Sequence, residues 1–483
     1  MNGDPEIIDG IPNISATPEE EAALRPAGGE PYAALSNINM SRVQACFGLA
    51  LHMHQPTIPA AHADLRTADL ISNLQHMMGH QNAGDNHNAP VFLWCYSRMS
   101  DFIRELAGQG HNPRIMLDYS GNLLWGLRQM GQGHVLENLR LIASGESYRR
   151  YVEWLGTMWS HAVVSSTPVP DIKLHIMAWR RHFASIFGFE AARRVKGFSP
   201  PEMHLPIHPD VCYQYVKALK ECGYEWLMVQ QHTIENLDGG GIVRPHFPHR
   251  LVARNSVGEV EEITVLVKTQ GSDTKLVAQM QPYYEAKTLR PQDYAGAVVP
   301  PYVLQIGDGE NGGVMMNEFP SAYKKDFGSI GTEGVVAMNG SEYLEMIRRM
   351  GARDSSFVAV QPVSQHRIWD EVACKRGPGA CDEAIERITD LDPSFNLDRA
   401  SWTNNISWVK NYESVLDPMN RLSSMFHSRF DNDAAARQGF SFRKALLFLL
   451  LSQTSCFRYW GHGIWTEYGK EICRRGIEYI SGL

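Results

Sequence analysis

The sequence predicts a βα barrel followed by a helical C-terminal region, on three observations. From about residue 43, short apolar runs alternate with longer amphipathic stretches, the pattern of strands feeding helices. After about residue 375 the character is helical to the end. The residues best suited to chemistry, His52 with His54, Glu202, and Asp308 with Glu310, stand where predicted strands stop. That is the end of a βα barrel where active sites are built.

The elements divide the 483 residues into three regions. Residues 1–40 are acidic and contain Pro and Gly, without the basic start and apolar core of a secretory signal, and are expected to form a mobile or wrapping arm. Residues 41–375 carry the barrel, with strands expected at 45–52, 114–119, 151–156, 195–200, 224–230, 303–308 and 334–339. Between them lie helices such as "HPDVCYQYVKALKECG" (208–223), which starts at a capping-type turn and stops at Gly223. Residues 235–300 break this rhythm with Gly, Pro and alternating β-type segments, so an insertion or hairpin excursion is expected there. Residues 376–483 form a C-terminal helical region expected to complete the cleft. No internal repeat or low-complexity segment interrupts the chain.

Composition narrows the partners. The chain is 43% hydrophobic and 20% charged, enough for a large core. Lys and Arg total 45 against 53 for Asp and Glu, a net −8 with no basic stripe, which argues against nucleic acid. The longest apolar run, "ALLFLLL" (445–451), is far below the ~20 residues a membrane-spanning helix needs. The 8 cysteines are scattered without a C-x-x-C pair, which suits a reducing cytoplasm. Cys374 and Cys381, bracketing "KRGPGA", are the one candidate for a local disulfide. Oligomeric state is not written in the sequence.

Three stretches carry the chemistry. In "VLQIGDGENGG" (303–313), strand alternation points Asp308 and Glu310 to the same side, although Asp-Gly is also a common surface turn. "LHMHQP" (51–56) closes the first strand with His52 and His54 facing the same way, followed by Gln55 and Pro56. These are either structural histidines or an H-x-H metal site. "GFSPPEMHLP" (197–206) sets Glu202 after two prolines that end a strand and remove backbone donors; a plain exposed Glu after a turn has the same pattern. Paired carboxylates at strand ends of one barrel are the equipment of glycoside hydrolysis.

In order and spacing these motifs resemble those of glycoside hydrolase family 57. "HMHQP" resembles its first motif, "YVEWLGTMWSH" (151–161) its Glu-containing second, "GFSPPE" its third and "GDGENGG" its fourth, while "SGNLLWGL" (120–127) resembles the segment after its second strand. The resemblance covers about residues 45–345. It implies a distorted (β/α)7 barrel acting on α-glucans or maltooligosaccharides, as an α-amylase, a 4-α-glucanotransferase or a branching enzyme, by a retaining mechanism and with no cofactor. Carried over, it makes Glu202 the nucleophile and Asp308 the general acid/base, with His52, His54, Gln55, Glu153 and Glu310 around the reacting sugar. Glu310 would either hold a hydrogen bond or, by like-charge repulsion, keep Asp308 protonated.

Two positions depart from the family. Ser199 stands where its third motif often carries Trp, and Gly312 where its fourth often carries a bulky residue. A sugar-stacking surface is therefore expected to be missing or relocated. "SCFRYWGHGIWTEY" (455–468) crowds Phe457, Tyr459, Trp460 and Trp465 around His462. Trp460, His462 and Trp465 either contact sugar or pack the helical region onto the barrel. Two other functions fit the same residues: a metal-dependent deacetylase-like barrel with His52 and His54 as ligands, and a non-catalytic glucan-binding relative.

Overall fold

Seven segments become parallel strands: β1 (Val43–Met53), β2 (Ile115–Tyr119), β3 (Val152–Gly156), β4 (Gly197–Phe198), β5 (Trp226–Gln230), β6 (Val260–Lys268) and β7 (Tyr302–Asp308). Pairing runs β7–β1–β2–β3–β4–β5–β6 and returns to β7, so among the described residues seven parallel strands close into a barrel. Closure leaves no free edge in the ring. The computed structural model describes residues 4–26, 28–60, 64–269, 275–310, 317–373, 375–403, 406–433, 437 and 439–483. Cys374, and with it the pairing expected with Cys381, and Gly312 lie outside the described residues.

The ring differs from the sequence expectation in its seventh stave. Gly334–Ala337 is a strand, but it pairs with the start of β1, outside the ring. The barrel is closed instead by β6, from within the 235–300 segment. His249–Arg254 pairs antiparallel with β6, and Val358–Pro362 and Ile234–Asn236 extend the sheet outward. β6 is buried over its last six residues but not over its first three, Val260, Glu261 and Glu262. Its alternating, charged first half conceals a barrel strand from a hydrophobicity reading.

β4 is short for a steric reason. A Cβ on Gly197 would lie 2.2 Å from the Trp226 ring, so only glycine admits that close approach, and Pro200 and Pro201 lack the N–H groups a longer ladder needs. The chain therefore leaves the barrel just before Glu202. Around the ring stand helices that include α1 (Ala89–Gly108), α2 (Gly121–Gln129), α3 (Val169–Phe187), α4 (Pro209–Glu221) and α5 (Gly340–Arg349). Among the described residues no helix is long and apolar enough to cross a membrane.

The C-terminal region contributes α6 (Ala380–Leu391), α7 (Glu413–Phe430), α8 (Phe440–Ser452) and α9 (Ile464–Ser481). α8 is apolar on nearly every face and is buried accordingly. The turn after α8 docks on the segment after β3: Ser455 N–H donates to the His161 carbonyl at 3.3 Å, and Thr454 bridges Ala162. A buried polar strut joins the same bodies, with Asp171 on α3 contacting His427 of α7 at 2.6 Å and accepting from Gln453 at 2.6 Å. At the other end of the barrel the described part of residues 1–40 lies against helices: Arg181 pairs with Asp4 and Glu20, and Glu345 accepts from Ala33 N–H at 2.7 Å.

Candidate active site

Strand register builds the site's first row. Asp308 on β7, His52 on β1 and Asp118 on β2 are direct neighbours, and His52 Nδ1 lies 2.9 Å from Asp118 Oδ2. Burial pulls the His52 pKa down, but Asp118, joined by Asp308 and Glu310, outweighs it and pushes the value up to about 9. His52 is thus a cation among carboxylates at neutral pH.

Glycine separates the two acids of the opening motif for a reason of space: a Cβ on Gly309 would lie 2.1 Å from Met53 Cε and 3.3 Å from Leu51 Cβ. Gly309 N–H donates to the His52 carbonyl at 2.8 Å, and Arg98 of α1 donates to the Gly309 carbonyl at 3.1 Å, fixing this turn from both sides. Glu310 Oε1 accepts from His54 N–H at 3.3 Å. Burial raises the pKa values of both Asp308 and Glu310; for Glu310, reaching about 8, the neighbouring Asp308 charge adds to it. The two carboxyls accordingly retain a proton between them at neutral pH.

A second row is aromatic. His54 and His161 stack with centroids 4.2 Å apart, and His52 lies 4.7 Å from His161. Burial, with the neighbouring rings, holds His54 and His161 well below the usual imidazole value, so both are neutral. His54 Nδ1 lies 2.7 Å from Ser120 Oγ, which also caps α2 by accepting from Leu123 N–H at 3.2 Å. His54 Nε2 lies 3.5 Å from Cys456 Sγ, and His161 Nδ1 2.7 Å from Ser455 Oγ. Gln55 is buried and donates to Tyr96 at 3.0 Å. Among the described residues no group of three or more His, Cys, Asp or Glu is arranged to hold a metal ion.

Glu202 enters from the third side. It and Met203 hold left-handed backbones, φ 57° and 51°, at a cost of about 1–2 kcal/mol each for non-glycine residues. Glu202 Oε2 accepts from the Trp402 indole at 2.7 Å, and Oε1 lies 4.0 Å from His161 Nδ1. Burial raises its pKa to about 7; the Trp402 hydrogen bond opposes this, the Asp308 charge adds to it and His52 opposes it. Tyr459 faces both acids: burial, then the charges of Glu202 and Asp308, push its hydroxyl up to about 12.

The structure therefore brings His52, His54, Glu202, Asp308 and Glu310 together, with Gln55 at the edge. It takes Glu153 elsewhere. Glu153 accepts from Ser341 N–H at 2.9 Å and Ser341 Oγ–H at 2.5 Å, near the barrel end where Asn339 bonds Tyr151 just before β3. Trp460 lies beside Tyr459 with 59% of its surface exposed. Trp465 stands 6.1 Å from it, half-buried, while His462 is exposed and stacks on Tyr412.

Asp118, His161, Trp402, Cys456 and Tyr459 join the site without having been singled out as site residues. Asp118 had a legible signal, an acid inside the apolar strand "RIMLDY", and His161 ends the quoted "YVEWLGTMWSH". Trp402 had none, because its contact with Glu202 spans 200 residues.

With this geometry in view, comparison with known proteins is specific. Residues 49–262 match the sequence model of glycosyl hydrolase family 57. The family 57 match takes in His52, His54, Glu153, His161 and Glu202, and ends before Asp308 and Glu310. A search of curated proteins finds no match. Among solved structures, the 4-alpha-glucanotransferase of Thermococcus litoralis superposes with a TM-score of 0.53 at 17% identity, over 89% of this chain and 57% of its own. The chain thus spans little more than half the length of that relative. The alpha-amylase AmyC of Thermotoga maritima gives 0.52 at 10% identity, over 91% of this chain and 93% of its own. An exo-type maltose-forming amylase from Pyrococcus sp. ST04 gives 0.52 at 11%, over 91% and 80%. At these identities the likeness is one of fold, and the fold is the (β/α)7 barrel of family 57.

Proposed function

We propose that this chain is a family 57 glycoside hydrolase or transglycosylase that acts on α-glucans with retention of configuration. The observation that carries the reading is the convergence of Glu202 and Asp308 on one barrel mouth, where each charge is felt by the same His52 and Tyr459. Glu202 attacks the anomeric carbon. The bond to the leaving oxygen breaks as that oxygen takes the proton of Asp308, leaving a glycosyl ester on Glu202. Asp308 then removes a proton from the acceptor, whose oxygen attacks the same carbon and releases the carboxylate. Water as acceptor gives hydrolysis; a sugar hydroxyl gives transfer.

The surroundings of the acids bear on how their protons are shared. Four acids, Asp118, Glu202, Asp308 and Glu310, share the pocket with one histidinium; burial holds a proton on the Asp308–Glu310 pair, the Asp308 charge adding to it at Glu310, while the Trp402 hydrogen bond and His52 favour the charged form of Glu202. The scattered cysteines favour a reducing, cytoplasmic setting for this chemistry.

The test is the product. Maltooligosaccharides and amylose are incubated with the protein and resolved by chromatography, where longer chains report transfer and new reducing ends report hydrolysis. Proton NMR of the first-formed sugar should show the α-anomer before mutarotation. Asp308→Ala should lose most activity on amylose and much less on an aryl α-maltooligoside, whose leaving group departs without an acid. A first-formed β-anomer, or equal losses on both substrates, would overturn the assignment.

A further inference from the structure

Glu202 is held by a residue that no barrel strand supplies. Trp402, in the segment between α6 and α7, meets it at two points: its indole N–H donates to Oε2 at 2.7 Å and its backbone N–H donates to the Glu202 carbonyl at 3.0 Å. The surrounding segment is anchored in turn. Leu205 N–H donates to the Ala400 carbonyl at 2.7 Å, and the His232 ring bonds the Ser401 carbonyl at 2.7 Å. Residues 400–402 therefore run along residues 202–205 as a brace.

A brace is needed there. Glu202 and Met203 occupy successive left-handed conformations that side-chain-bearing residues leave unless something holds them. No ladder continues past Phe198, since β4 ends there. The backbone contact from Trp402 falls on the strained residue itself. The indole contact falls on one carboxylate oxygen and leaves Oε1 turned toward His161, 4.0 Å away.

We propose that Trp402 is a positioning residue for the nucleophile, fixing one oxygen of Glu202 with its indole N–H and the strained backbone with its own N–H so that the other oxygen is presented to the anomeric carbon. This rests on the reading of Glu202 as nucleophile. In the first displacement Oε1 bonds to the anomeric carbon and Oε2 becomes the ester carbonyl, still accepting from the indole. In the second, the Oε1–carbon bond breaks, its electron pair returns to the carboxylate, and the same donor stabilises that charge.

The groups facing Glu202 set the expected pH behaviour. Burial raises its pKa, the Trp402 hydrogen bond lowers it, Asp308 raises it and His52 lowers it, while His161, Cys456 and Tyr459 are neutral neighbours. Removing the indole N–H takes away one of the two groups that favour the charged form, so the acidic limb of kcat/KM, near the Glu202 value of about 7, moves to higher pH.

The experiment replaces Trp402 with benzothienylalanine, which exchanges the N–H for sulfur in a ring of the same shape, alongside Trp402→Phe and Glu202→Gln. The probe is an aryl α-maltooligoside. A lost hydrogen bond to a charged group should lower kcat by roughly ten- to a hundred-fold with little change in KM, and raise the acidic limb. Carbon-13 NMR of the Glu202 carboxyl, assigned with Glu202→Gln, reads the same rise in pKa without turnover. An unchanged kcat and carboxyl titration in the benzothienyl protein overturns the proposal, as does a change confined to KM, which would make Trp402 a sugar contact. If Glu202→Gln is inactive and the Trp402 variants are silent, the brace alone is wrong. If Glu202→Gln stays active, the nucleophile assignment falls with it.

Discussion

Glu202 and Glu153 are both buried glutamates of one barrel, and burial pushes both pKa values up, to about 7 and about 8. Their surroundings differ in what is left over. Both oxygens of Glu153 are taken by Ser341, no surface is exposed, and Lys196 and Glu345 complete a closed polar cluster. Glu202 keeps 9% of its surface, gives one oxygen to Trp402 and turns the other toward a histidine it does not bond. A perturbed pKa marks burial in both cases. Spare hydrogen-bonding capacity at an opening marks the residue that can react.

The largest expected effect breaks this comparison outright. Glu202→Gln keeps the shape and loses the attacking charge, so turnover should fall by several orders of magnitude while the melting temperature stays in place. Glu153→Gln should keep kcat near that of the parent protein. Equal loss of activity in the two variants, with both folded, would erase the distinction.

Glu153 should speak through stability instead. Its folded pKa of about 8 lies above the ordinary 4.5, so the native state holds a proton that the unfolded chain releases. Its contribution is full below pH 4.5 and is lost as pH rises through about 8. Glu153→Gln cannot ionise, so across that window its stability should fall less steeply with pH than that of the parent. Loss of one Ser341 bond adds a pH-independent cost of about 1–3 kcal/mol. Urea unfolding of both proteins across this window measures both terms, and parallel curves would show that Glu153 does not titrate there.

A smaller effect sharpens the rim. Trp460 is 59% exposed, so Trp460→Ala should change stability by no more than about 0.5 kcal/mol. It lies against Tyr459, which faces the carboxylates, and its loss should raise KM for long glucans more than for short ones. A lowered melting temperature with unaltered kinetics would instead assign it to packing.

The strand-end motifs were legible because their signals are local. The prolines before Glu202 and the two-residue spacings of His52 with His54 and Asp308 with Glu310 dictate where the chain turns and which way the side chains face, whatever the rest of the protein does. Alternating apolar and amphipathic runs determined the barrel class in the same way, and six of the expected strands became its staves. The sequence by itself did not determine which strand closes the ring, because half of β6 lies outside it and reads as surface. Nor could local pattern separate Glu153 from Glu202. One faces Ser341, 188 residues away, and the other Trp402, 200 residues away, so their opposite environments arise only when the barrel closes and the C-terminal region folds over its mouth. Residue type and spacing carry chemical capacity; burial, spare valence and the charge of neighbours are properties of the packed chain.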